Sequence, residues 1–185
     1  MKKTLTIISA IIALNCSAAW AGEWKIIPQK SKIEFQALQN DSKVSGSFEK
    51  FSGKIDFDPA QLKTSKVEIE IDTASLKCSL SDCISTLQTA EWLSVKTFPK
   101  ATFSADKFTK ISDKKFSANG KLTIKNKSVP AAIEFVLEEY SQSNARAVGS
   151  AKVKRSDFAI GAKDPANAHG VKDEVIVNFT INATK

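Results

Sequence analysis

Between Val44 and Pro59 apolar and polar residues alternate along V-S-G-S-F-E-K-F-S-G-K-I-D-F-D-P, and this stretch limits the fold more than any other. Strand side chains point to opposite faces in turn, so Val44, Gly46 and Phe48 share one side, and Phe51, Gly53, Ile55 and Phe57 share one side of a second run. Two consecutive antiparallel strands are expected, joined at Glu49-Lys50. That joint has no Asn-Gly, so the hairpin reading rests on the flanking alternation alone. Each run carries a glycine on its apolar side, which marks a bend, a bulge or a close approach of the kind a small barrel needs.

The same alternation recurs along the chain. Ser31 to Leu38, Ser65 to Asp72, Ala101 to Thr109, Lys115 to Lys125, Ala131 to Tyr140, Ala145 to Lys154 and Glu174 to Thr184 all read as strands, with turn clusters at Asn40-Asp41-Ser42 and Asn126-Lys127-Ser128. Asn119-Gly120 marks a bend within one of them. The period is lost only between Thr73 and Lys100. There, Ser81-Asp82 reads as the cap of a short helical insertion spanning about residues 81–94, with Ile84 and Leu87 on one side. Regular strands without a βαβ rhythm define an all-β fold, an antiparallel barrel or sandwich of about eight strands.

The first 21 residues read as a secretory signal peptide. Lys2 and Lys3 precede an apolar run from Leu5 to Leu14, and Ala19-Trp20-Ala21 fits small-x-small cleavage after Ala21. The expected location is the periplasm, and residues 22–185 form one domain; a lipid anchor on Cys16 is the alternative, poorly supported by Ala13-Leu14-Asn15. The formal charge of +7 falls to +5 once Lys2 and Lys3 leave, and only two arginines, Arg146 and Arg155, are present. No nucleic-acid partner is expected from so dispersed an excess, although weak, transient contact with anionic membrane surfaces is compatible with it.

Cys78 and Cys83 are the cysteines left after the leader, and an exported chain with two in one loop is expected to pair them as a structural disulfide. Their C-x4-C spacing is not the C-x-x-C of redox motifs, and with His169 as the single histidine no metal signature forms. Catalysis finds no nucleophile motif, so the chain is not expected to be an enzyme. The 11 phenylalanines against one tyrosine point to an interior of almost pure hydrocarbon, either a dry core or an apolar pocket, and periodicity does not separate the two.

Order and spacing of short motifs carry a resemblance over the whole mature length. These are W-x-I-x-P at Trp24 to Pro28, S-x-I-x-F at Ser31 to Phe35, G-x-F-x-x-F-x-G-x-I-x-F-D-P at Gly46 to Pro59 and F-P-x-A-T-F at Phe98 to Phe103. G-x-L-T-I-K at Gly120 to Lys125, R-S-D-F-x-I at Arg155 to Ile160 and D-x-V-x-V at Asp173 to Val177 complete the series. The chain resembles the YceI-like family of exported, lipocalin-like polyisoprenoid-binding proteins, departing from it at Ala159, where glycine is common, and in the cysteine loop.

The resemblance implies an extended antiparallel lipocalin-like β-barrel with an isoprenoid lipid, polyprenyl or quinone-like, in its lumen. No other cofactor is implied. The lumen set is Phe35, Phe48, Phe57, Ile69, Leu87, Trp92, Phe103, Leu122, Phe135, Phe158 and Val177, for each of which plain core packing is the alternative. Arg155 with Asp157 forms either a head-group site or a structural ion pair. Competing functions are an accessory to a membrane cytochrome or quinone system and a hydrolase of a small apolar substrate. The oligomeric state, a dimer included, is open.

Overall fold

A computed structural model describes residues 23–162 and 170–185. The signal-peptide reading of residues 1–21 and His169 lie outside the described residues. The chain runs β1 (Lys25–Ile26), β2 (Lys32–Gln39), β3 (Ser42–Phe48), β4 (Phe51–Asp56), β5 (Lys66–Asp72), β6 (Leu76–Cys78) and α1 (Ser81–Gln88), followed by β7 (Lys100–Lys110), β8 (Lys115–Ile124), β9 (Lys127–Tyr140), β10 (Asn144–Lys154) and β11 (Glu174–Thr184). Every named strand pairs antiparallel, in the order β4-β5-β7-β8-β9-β10-β11-β2-β3-β6, with β1 added on β11.

The stretch from Val44 to Pro59 does not form the expected hairpin. β3 pairs with β2 and β6, whereas β4 pairs with β5, so the two runs occupy opposite ends of the sheet order. Turn chemistry explains the difference. A two-residue hairpin with φ positive at both central positions needs residues that tolerate it, and Asn40 and Asp41 adopt φ of 47° and 64° between β2 and β3. Glu49-Lys50 has no such residue and turns a corner in the sheet.

That corner curls the sheet on itself. The crossings β3→β4 and β5→β6 lie side by side: Glu49 N–H donates to the Ser75 carbonyl, Lys50 N–H to Ser75 Oγ, and Asp72 N–H to the Lys50 carbonyl. β3–β4 and β5–β6 are therefore two bent strands of one ribbon. With each bent strand taken once and β1 set aside, the barrel has eight staves. The gap beside β4 is filled by the N-terminal segment, where Trp24 N–H donates to the Ile55 carbonyl at 2.7 Å while Lys25 and Ile26 pair with Thr184 and Ala183.

Two details refine the sequence reading. Asn119-Gly120 lies within β8, and opposite those two residues the pairing with β7 shifts, between Ala105 and Lys107. The helix ends at Gln88, short of residue 94, and Leu80 takes the N-cap position with no side-chain hydrogen bond. Trp92 and Leu93 are buried from turns after the helix.

Cys78 and Cys83 form the disulfide, tying the end of β6 to the first turn of α1. The ring closes over a sequence separation of only 5. Loop-closure entropy for so short a ring gives about 2 kcal/mol. Cys78→Ser/Cys83→Ser is expected to lower unfolding stability by that amount while leaving the strand signal in circular dichroism unchanged.

Candidate functional site

Inside the barrel, side chains of the inward faces divide into a packed end and a hollow. Phe57 sits at the packed end, with ring centroids 5.4 Å from Phe108, 5.4 Å from Phe116 and 5.6 Å from Phe135. Trp24 donates its indole N–H to the Phe57 carbonyl at 3.0 Å. Tilted and edge-on aromatic pairs at these separations fill space densely. At the opposite end Trp92, Leu93, Phe158 and Ile160 make a second cluster beneath α1 and the turns after it.

Between the clusters lies a cavity of about 640 Å³. Its wall comes from alternate residues of nearly every strand, as the period-two rule requires for a curled sheet. Of the sequence-derived lumen set, Phe35, Phe48, Phe57, Ile69, Leu87, Trp92, Phe103, Leu122, Phe135 and Val177 line this cavity. Phe158 does not; it is 2% exposed and packs in the second cluster, at the end of a 3-10 turn over Arg155–Phe158.

Sequence reasoning missed the residues that make the hollow. Along β10, Ala145, Ala147 and Ala151 line the cavity. Gly149 stands among them, and a Cβ there would lie 2.5 Å from the Phe179 ring and 2.7 Å from Phe135. Small residues at every second position of one strand were the available signal. Gly46 has the same part opposite Phe35, its register partner, where an added Cβ would collide with that ring and with the Lys77 carbonyl. Each glycine thus lets a neighbouring ring lie flat against the wall.

Polar side chains line the hollow only toward the helix end: Gln39, Thr73, Asp82, Thr86 and Arg155. Arg155 is 7% exposed and is held by carbonyls, with Nη1 donating to Ile160 at 2.9 Å and Nε and Nη2 to Val171 at 3.3 and 3.2 Å. Asp157, its expected companion, is exposed and lies outside the lining, and no ion pair between the two is found among the described residues. The nearby carboxylate is Asp173. Burial pushes its pKa up, but hydrogen bonds from the Ser156 N–H and hydroxyl and the charges of Arg155 and Lys154 outweigh this and hold it below the usual value.

Ala159 follows the 3-10 turn with φ 51° and ψ 40°, a left-handed conformation that costs a residue with a Cβ about 1–2 kcal/mol. Lys125 Nζ donates to its carbonyl at 3.1 Å, and burial, then the charge of Lys127, push that amine's pKa down. Ala159→Gly is expected to raise stability by about 1 kcal/mol, read as a higher urea midpoint at unchanged slope.

A curled antiparallel barrel with an apolar lumen, polar at one end, is a lipocalin-like fold. The YceI-like domain matches residues 24–183, and the chain belongs to that family. It is 28% identical to the protein YceI of Salmonella newport over 169 residues, covering 86% of this chain and 88% of that one. Among solved structures, BcnA of Burkholderia cenocepacia superposes with a TM-score of 0.80 at 28% identity, covering 86% of this chain and 99% of its own. A polyisoprenoid binding domain from Saccharophagus degradans shares the fold, with a TM-score of 0.69 at 12% identity over 87% of this chain and 97% of that domain.

Proposed function

We propose that the protein is a periplasmic carrier that holds one isoprenoid-type lipid, a polyprenyl chain or an isoprenoid quinone, in the barrel lumen. The observation that carries this reading is the apolar cavity of about 640 Å³ in a barrel of a size that side chains alone can fill. Burial of hydrocarbon contributes about 0.8 kcal/mol per methylene, so ten buried carbons already supply about 8 kcal/mol against the cost of association. Few polar contacts are then needed. Arg155, with donors on a guanidinium at the cavity wall, is the residue suited to a carbonyl or anionic head group.

The chemistry proposed is binding, with no bond made or broken. Export is supported by the leader and by the Cys78–Cys83 disulfide, a bond that persists in oxidising compartments. The family membership and the binding named for the Saccharophagus degradans domain support an isoprenoid ligand. Native mass spectrometry of gently purified protein is expected to show one bound mass of isoprenoid size. Repeated absence of such a mass, with no uptake of added prenyl alcohol, would overturn the reading.

A further inference from the structure

We infer that the Cys78–Cys83 disulfide is a redox latch on α1. Oxidised, it keeps the helix in place as a wall of the lumen; reduced by a dithiol, it lets the helix swing away and speeds release of what the lumen holds. The inference rests on the lipid-carrier reading for its occupant and adds to it a control of release. The bond lies in the loop where the sequence departs from the family pattern.

The helix is part of the cavity. Leu80, Asp82, Cys83, Thr86 and Leu87 all line the hollow. Cys83, Thr86 and Leu87 stand at i, i+3 and i+4, so one face of α1 is turned inward. β6, which leads into it, pairs with β3 over only Gly46 to Phe48. The two ends of α1 are held differently. At the C-terminal end the Leu87 carbonyl accepts from Leu93 N–H at 2.9 Å and that of Gln88 from Val95 N–H at 3.4 Å, while the Leu87 side chain packs on the Trp92 and Phe158 cluster. At the N-terminal end Ser79 N–H donates to the Ser45 carbonyl at 2.8 Å, and the chain then leaves β3 for the helix with the disulfide bridging the crossing. Leu80, at the N-cap, gives no side-chain hydrogen bond and is 49% exposed. The C-terminal end is therefore the pivot and the disulfide the latch. A cross-link removes conformations from any state in which the segments it joins come apart. Here that state is the opened helix, and cutting the bond favours it.

Both cysteines are partly exposed, as exchange with an outside thiol requires. The partner is a dithiol of the C-x-x-C class. Its thiolate attacks one sulfur, breaking the Cys78–Cys83 bond and forming a mixed disulfide, and its second thiol displaces the remaining cysteine. The dithiol ends as a disulfide, and its two electrons and two protons end on Cys78 and Cys83 as thiols. The pair is thus the substrate of exchange, in keeping with a spacing that is not itself a redox motif.

The test follows the purified protein with and without dithiothreitol, reading release of a dansyl-labelled farnesyl chain by stopped flow and amide hydrogen exchange by mass spectrometry. Reduction is expected to speed release by about tenfold or more. Exchange is expected to rise at residues 80–88 and to stay unchanged in β7 to β11. Reoxidation restores both, and Cys78→Ser/Cys83→Ser matches the reduced protein whether or not dithiothreitol is present. Reduced wild type carries the test if the double variant fails to fold. Release at one rate in both redox states, or unchanged exchange at residues 80–88, would overturn the latch. So would exchange that rises equally through β7 to β11, which is general loosening. Failure of the oxidised protein to take up the probe would instead overturn the carrier reading, and exchange at residues 80–88 then decides the latch on its own.

Discussion

Trp24→Ala lowers the unfolding free energy by about 3–5 kcal/mol, the range for emptying a fully buried indole site. Three losses coincide. The ring leaves a space at the packed end, where it lies 5.5 Å from Tyr140 and beneath the Lys185 amine at 4.8 Å. The Phe57 carbonyl loses its indole donor, and an unpaired buried acceptor costs about 1–3 kcal/mol. The segment that caulks the barrel beside β4 then loses its largest side-chain anchor while keeping its backbone bonds to Ile55 and β11. Urea denaturation measures the sum. Trp24→Phe, which retains an aromatic ring and loses the indole donor, is expected to recover more than half of it.

Gly120→Ala is expected to cost about 3 kcal/mol, although it adds a single methyl group. An added Cβ at Gly120 would collide with the Ser104 carbonyl and lie 2.7 Å from the Ala105 Cα. Both obstacles are main chain, and both belong to β7 at the point where its pairing with β8 shifts. Relief by side-chain rotation is therefore closed, and the two strands must separate locally. Thermal unfolding would register the change as a drop of about 6–12 °C for a domain of this size. A loss under 1 kcal/mol would mean that the β7–β8 irregularity yields easily.

The strands themselves were legible because inward and outward residues alternate along most of each run; Ala145 to Lys154 and Glu174 to Thr184 coincide with β10 and β11 to within a residue. Their partners were not, since period two is the same whichever strand lies alongside. At Glu49-Lys50 the two runs adjoin in sequence, yet hydrogen bonds hold them to β6 on one side and to β5 on the other. The helix end was misjudged because Trp92 and Leu93 continue an apolar spacing across a chain that has already left the helix, with Ser94 at φ 52°.

Inward-facing aromatic positions such as Phe35 and Phe103 could be read from their strands, and the cavity lining includes them. Phe158 could not, because the alternation rule ends where β10 gives way to a 3-10 turn. The hollow itself was hidden for another reason. It is lined along β10 by the small side chains of Ala145, Ala147 and Ala151, and large residues draw attention that small ones do not.

β11 joins β10 on one flank and β2 on the other, and at its far end it takes up β1. The N-terminal strand β2 and the meander β7–β10 are thus joined on this side through the final eleven-residue strand, and on the other through the pairing of β5 with β7. A chain lacking Glu174 to Thr184 can assemble the meander from β7 to β10 and the β2–β3 and β4–β5 pairs, but the seam between β10 and β2 stays open. High contact order makes such closure the late step of folding. Until β11 is in place, β10 has β9 as its one strand neighbour and β2 has β3, so the barrel stays unlatched along that seam.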